Sequence, residues 1–117
     1  MSSSQQPLRL LFVCTANSER SPTAVDLFRK SRRFEVASAG IQPTARRVVR
    51  QDHVDWADII FVMSEHGEGH ATILERSFDL SGTRVVNLEI QEKYPRGSPN
   101  LVNLLRKRMS RYIDLDI

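Results

Sequence analysis

The stretch Leu8-Arg9-Leu10-Leu11-Phe12-Val13-Cys14-Thr15-Ala16-Asn17-Ser18-Glu19-Arg20-Ser21-Pro22 decides the architecture. Leu8 to Val13 is a short, nearly continuous apolar run, the pattern of a strand covered on both faces of a parallel sheet. The polar segment Thr15 to Arg20 interrupts it. Ser21-Pro22 then offers an N-cap followed by proline at the first helical position, and Ala24, Leu27 and Phe28 fall on one helix face. The unit is strand, tight loop, helix.

The same alternation continues along the chain. Phe34 to Ser38 reads as a second strand that ends at Gly40, and Thr44 to Ala57 as an irregular helix carrying Val48, Val49 and Val54. Ile59-Ile60-Phe61-Val62-Met63 is a third strand, bounded by Ser64 as the cap of a helix from about Glu65 to Arg76. Arg84 to Leu88 is a fourth strand, Glu89 to Gly97 a loop, and Ser98-Pro99 a second Ser-Pro helix start before Leu101, Leu104, Leu105, Met109 and Tyr112. Strands alternating with helices imply a parallel sheet with right-handed crossovers and helices on both faces. Ligands then bind beyond the carboxyl ends of the strands, which makes the loop after the first strand the leading candidate site.

A chain of 117 residues suits one domain over 1–117, with 1–7 expected as a flexible N-terminus. The 40% hydrophobic and 26% charged content is that of a folded globular protein. No apolar run approaches the ~20 residues that span a bilayer, and Met1 to Pro7 lacks the pattern of a signal peptide, so a cytoplasmic protein with no membrane contact is expected. A single cysteine excludes an intramolecular disulfide and a cysteine zinc site. The net charge of +3 favours anionic partners, but the basic residues are scattered without a basic-aromatic module, so no nucleic-acid partner is expected. Arg32-Arg33, Arg46-Arg47 and Arg106-Lys107-Arg108 read as solvated faces. His66 and His70 stand four apart with His53 earlier, yet the segment lacks the His-Glu-x-x-His order and contains two glycines. They read as surface histidines, with no metal and no cofactor.

Cys14 and Arg20 are six positions apart between a buried strand and a helix start. A loop of that length can turn successive backbone N–H groups inward to form an anion nest at the positive end of the helix. Thr15, Ala16, Asn17, Ser18, Glu19, Arg20 and Ser21 would then cradle a phosphate. Arg20 would close the ring with a planar fork that a lysine cannot reproduce. The same donors favour the thiolate of Cys14, and Ser21 can add a hydrogen bond to it. A thiolate at the base of such a cradle is placed for in-line attack on phosphorus without a metal.

Leu11-Phe12-Val13-Cys14, Asn17 and Arg20-Ser21-Pro22 resemble the signature of the low-molecular-weight protein tyrosine phosphatases, and the shortened outline resembles that of a short bacterial-type subgroup. Ser38-Ala39-Gly40 and Trp56-Ala57-Asp58-Ile59-Ile60-Phe61-Val62-Met63 extend the resemblance over most of the chain. It implies a flavodoxin-like three-layer sandwich with a four-stranded parallel sheet in the order 2-1-3-4. It also implies a cysteine-dependent phosphatase acting on phosphate monoesters, protein phosphotyrosine foremost, through a phosphocysteine intermediate. By that resemblance Cys14 is the nucleophile and Arg20 binds the phosphate. Ser21 supports the thiolate, and Asn17 shapes the loop, with Ser38 as its hydrogen-bonding partner. The expected partner is a phosphorylated protein or a small phosphate monoester, met by a monomer.

The family supplies its general acid from an Asp-Pro-aromatic segment, and here Glu92-Lys93-Tyr94 falls in that place. Glu92 is the candidate acid, Glu89 the reserve, and Tyr94 the one ring available to stack on a phenyl phosphate. The chain is shorter than typical members between Gly40 and Trp56, which predicts a shallow pocket. Two other readings remain. A phosphate or phosphopeptide binder would keep the cradle without efficient turnover. The thioredoxin-coupled arsenate reductases share the loop but pass oxidation to further cysteines, which this chain lacks.

Overall fold

The computed structural model describes residues 6–115, so all but Gln6 and Pro7 of the expected flexible N-terminus lies outside the described residues. Eight elements follow one another as β1 (Leu8–Cys14), α1 (Arg20–Leu27), β2 (Phe34–Gly40), α2 (Gln51–Trp56), β3 (Ile59–Val62), α3 (His70–Ser77), β4 (Arg84–Asn87) and α4 (Pro99–Met109). The four strands form a parallel sheet in the order β2-β1-β3-β4, with Leu10 level with Val36 on one side and Ile59 on the other. The expected order is the observed one.

The strand pleat divides the continuous apolar run of β1 between two layers. Leu10, Phe12 and Cys14 point into a cluster with Ala24, Phe28, Phe61, Leu101, Leu105 and Met109, which seats α1 and α4. Leu11 and Val13 point the other way, into a cluster with Val54, Ile60, Val62 and Leu74 under α2 and α3. Phe12 stacks on Phe61 at 5.5 Å and on Phe28 at 5.9 Å between centroids, which locks the first layer at the centre of the sheet.

Three helix boundaries differ from the sequence expectation. The helix α1 begins at Arg20, so Ser21 and Pro22 lie inside its first turn and Ser21 is not the cap. Only Gln51–Trp56 of the expected helix 44–57 is helical. The segment before it spends its backbone on the first loop: Gln42 N–H donates to Thr15 O at 3.0 Å and Arg46 N–H to Ala16 O at 3.1 Å. The expected helix from Glu65 starts at His70, because Gly69 sits at φ 69° and the N-terminal polar groups of the helix are satisfied from a distance. Glu65 accepts from the Thr72 backbone N–H at 3.0 Å and from the Thr72 hydroxyl. At α4 the expectation matches: Ser98 is the N-cap, its Oγ accepting from Leu101 N–H at 3.5 Å, and Pro99 is the first helical residue.

Candidate active site

The loop from Cys14 to Arg20 sits at the carboxyl end of the central strand β1, where β2 and β3 flank it. Asn17 adopts φ 55°, the left-handed conformation that asparagine tolerates better than most residues, and this turns the loop back on itself. The Asn17 backbone N–H thereby points at Cys14 Sγ, 3.2 Å away. Ser21 Oγ lies 3.0 Å from the same sulfur and donates to Asn17 Oδ1 at 2.8 Å. Cys14, Asn17, Ser21 and Arg20 are all buried. With the Ser21 proton given to Asn17, the Asn17 backbone N–H is the donor aimed at the sulfur, and Arg20 stands close enough for its charge to interact with Cys14.

The bond expected from Asn17 to Ser38 is not formed; the Asn17 carboxamide is engaged by Ser21, while Ser38 lines a neighbouring cleft that Asn17 also borders. Asn17 lies in the loop before α1 and Ser21 in the first turn of that helix, and the Ser21 hydroxyl takes the carboxamide oxygen.

Arg20 is 2% exposed, and its partners include a residue that the sequence reading did not single out. Arg20 Nη1 donates to Glu68 Oε2 at 2.7 Å and to the Ile90 carbonyl at 2.9 Å, and Nη2 donates to Glu68 Oε1 at 2.8 Å. A guanidinium has five N–H donors, so the Nε–H and the second hydrogen on Nη2 remain unused. Neither hydrogen has a protein acceptor among the described residues, although Arg20 is almost wholly buried. Glu68 holds one edge of the fork, and the adjacent edge is left for a ligand. Burial pulls the Arg20 pKa down, but the hydrogen bond and charge of Glu68, with smaller help from Cys14 and Glu92, more than offset this and raise it. Conversely, the Arg20 hydrogen bond brings Glu68 down to about 2 in spite of its partial burial.

Behind Glu68 stands His70, which is fully buried rather than a surface histidine. The Ser64 backbone N–H donates to its Nδ1 at 3.0 Å, which assigns the proton to Nε2. Nε2 lies 2.9 Å from Thr15 Oγ1, and the Thr15 hydroxyl in turn donates to Glu68. Burial lowers the His70 pKa to about 4, with the Glu68 charge opposing, so the ring is neutral at pH 7. His66, by contrast, is exposed and pairs with Glu89 at 3.3 Å.

The two acid candidates lie in different surroundings. Glu89, at φ 54°, is tied to Asn87 Nδ2 at 2.6 Å and Ser64 Oγ at 3.2 Å, which makes it a bracket between the loops after β3 and β4. Glu92 is exposed on the loop after Ile90, and its charge reaches Arg20. Tyr94 lines open clefts with Leu104 and other residues of α4, in which no residue of the Cys14 to Arg20 loop takes part. Arg108 is half-buried rather than solvated, donating to Leu88 O at 2.6 Å and Glu89 O at 2.7 Å, and so holds this loop from α4.

No protein-family model and no curated protein matches the sequence. Solved structures do. YwlE arginine phosphatase from Geobacillus stearothermophilus is 22% identical, with a TM-score of 0.61 over 93% of this chain and 99% of that one. The low-molecular-weight phosphotyrosine phosphatase of Vibrio cholerae O395 is 22% identical, with a TM-score of 0.58 over 88% of this chain and 90% of that one. This chain has the low-molecular-weight phosphatase fold. A Drosophila arginine phosphatase shares it at 18% identity and a TM-score of 0.62, over 94% of this chain and 100% of that one. In a low-molecular-weight phosphatase fold the loop after β1 is the position that Cys14 to Arg20 occupies here, at the point where the connections from β1 and β3 diverge to opposite sides of the sheet.

Proposed function

We propose that this chain is a cysteine-dependent phosphatase of the low-molecular-weight family, acting in the cytoplasm on phosphate monoesters. One observation carries the reading. Cys14 Sγ lies under the Asn17 N–H and beside Ser21 Oγ, in a loop closed by an arginine whose Nε edge is unoccupied by any side chain. In the first step the thiolate attacks phosphorus, an S–P bond forms, and the P–O bond to the leaving group breaks. Glu92 gives its proton to the departing oxygen. A water then attacks phosphorus and passes its proton to Glu92, the S–P bond breaks, and inorganic phosphate leaves. Thr15 to Ser21 hold the phosphoryl oxygens throughout, with Arg20 stabilising the charge that develops on them.

Protein phosphotyrosine is the first substrate reading and phosphoarginine the second. The second draws support from the two arginine phosphatases that share the fold and from the position of Tyr94, the expected stacking ring, in clefts built by α4. An arsenate reductase, represented among the similar folds by the Corynebacterium glutamicum enzyme, needs a cysteine relay, and Cys14 is the only cysteine in this sequence.

The test is hydrolysis of para-nitrophenyl phosphate between pH 4 and 8 by the parent, Cys14→Ser and Glu92→Gln, with phenyl phosphate as a poorer leaving group. Turnover by the parent, none by Cys14→Ser, and a loss of about 100-fold in Glu92→Gln that is larger for phenyl phosphate is the expected result. A parent that binds vanadate but turns nothing over would replace the enzyme with a phosphate-binding module.

A further inference from the structure

Beside the phosphate loop lies a second cleft, of about 320 Å³, lined by Asn17 and Ser38 and by Arg29, Arg46, Arg47 and Arg96 with the single carboxylate Asp26. Neither Cys14 nor Arg20 lines it. Four guanidinium groups against one carboxylate leave an excess of three positive charges in this cleft, as large as the net charge of +3 on the whole sequence. Arg29 and Arg96 share Asp26, at 2.6 and 3.2 Å. Arg46 and Arg47 are exposed and make no ion pair among the described residues. Like charges gathered this way repel one another, and an oxyanion is the ligand that relieves the repulsion while using their planar forks.

The cleft is joined to the loop through the backbone. Arg46 N–H donates to Ala16 O at 3.1 Å, and Asn17 belongs to both the loop and the cleft. From Pro22 to Arg29 the lining follows α1 and the turn after it, about 10 Å at the helical rise. An extended peptide covers that distance in about three residues. From this placement we infer a second anion subsite beside the loop, one that binds an acidic side chain or a second phosphate in the segment flanking the phosphorylated residue of a peptide substrate. The inference rests on reading the Cys14 to Arg20 loop as the phosphoryl site, and it narrows the substrate class to acidic phosphopeptides.

Binding by the Cys14→Ser protein separates the two readings, because it consumes no peptide. Fluorescence anisotropy compares four labelled peptides of equal length: a phosphotyrosine peptide with neutral flanks, one with aspartates and glutamates, one with a second phosphate, and the acidic peptide without phosphotyrosine. The acidic and doubly phosphorylated peptides are expected to bind about tenfold more tightly than the neutral phosphopeptide at low salt. That advantage falls as salt shortens the Debye length from ~10 Å at 0.1 M. In the Arg46→Ser/Arg47→Ser double variant it is expected to shrink to twofold or less. Equal affinity for neutral and acidic phosphopeptides, or an advantage that survives the double substitution, overturns the subsite and leaves the phosphoryl loop standing. Tight binding of the acidic peptide with or without its phosphotyrosine, lost in the double variant, keeps the subsite and removes the phosphoryl reading of the loop.

Discussion

At the scale of single residues, Cys14 and Arg20 stand out in the sequence because the spacing that singles them out lies within one short loop. Glu68 could not. It meets Arg20 across 48 positions, and the segment Ser64 to Gly69 carries no spacing that announces the contact. Only donor counting in three dimensions shows that Glu68 occupies one edge of the guanidinium and thereby aims the other. Charge-assisted hydrogen bonds of this kind contribute about 1.5–3 kcal/mol. Glu68→Gln removes the charge and is expected to weaken vanadate binding about tenfold or more, measured by competitive inhibition of para-nitrophenyl phosphate hydrolysis, with a larger change in KM than in kcat. Tighter vanadate binding would mean instead that Glu68 competes with the ligand for Arg20.

Among the elements, β1 and α4 were legible because pattern and cap are local, while the two shortened helices were not. Thr44 to Arg50 has the composition of an irregular helix, but its Arg46 N–H donates to Ala16 O and its Val49 N–H to Gly40 O. A helix must use those donors itself, so the tertiary contact prevails. The same contact explains Gly40 at the end of β2. A Cβ there would lie 2.7 Å from Thr15 O, 2.7 Å from Ala45 Cβ and 3.0 Å from Ala16 C, so the Cys14 to Arg20 loop and the segment after β2 would be pushed apart. Gly40→Ala is expected to cost about 1–3 kcal/mol by urea denaturation, and to weaken phosphate binding together with stability. Full stability and unchanged phosphate affinity would show that the loop does not depend on this close approach.

For the whole molecule, two apolar clusters share one sheet, with alternate residues of β1 in each. Neither layer has a strand of its own, so unfolding is expected as one transition, coincident by far-UV and near-UV circular dichroism. Its midpoint should fall on acidification. The folded pKa of His70, about 4, lies below its ordinary 6.5, so its contribution is complete above pH 6.5 and is lost as the pH falls toward 4. Glu68 acts in the same direction lower down, its contribution present above 4.5 and lost as the pH falls toward 2. Urea midpoints at pH 7 and pH 4.5 should differ by on the order of 2 kcal/mol in stability, and His70→Gln should flatten that difference. The alternation of strands and helices and the position of the Cys14 to Arg20 loop are legible in the chain because hydrophobic period and loop spacing are encoded among near neighbours, whereas the sheet order is implied by the family resemblance. The tertiary structure alone decided that Glu68 orients Arg20, that His70 is buried behind Thr15, and that four scattered arginines share one cleft. Those contacts join residues from separate loops at the carboxyl edge of the sheet, and no local pattern carries the distance between them.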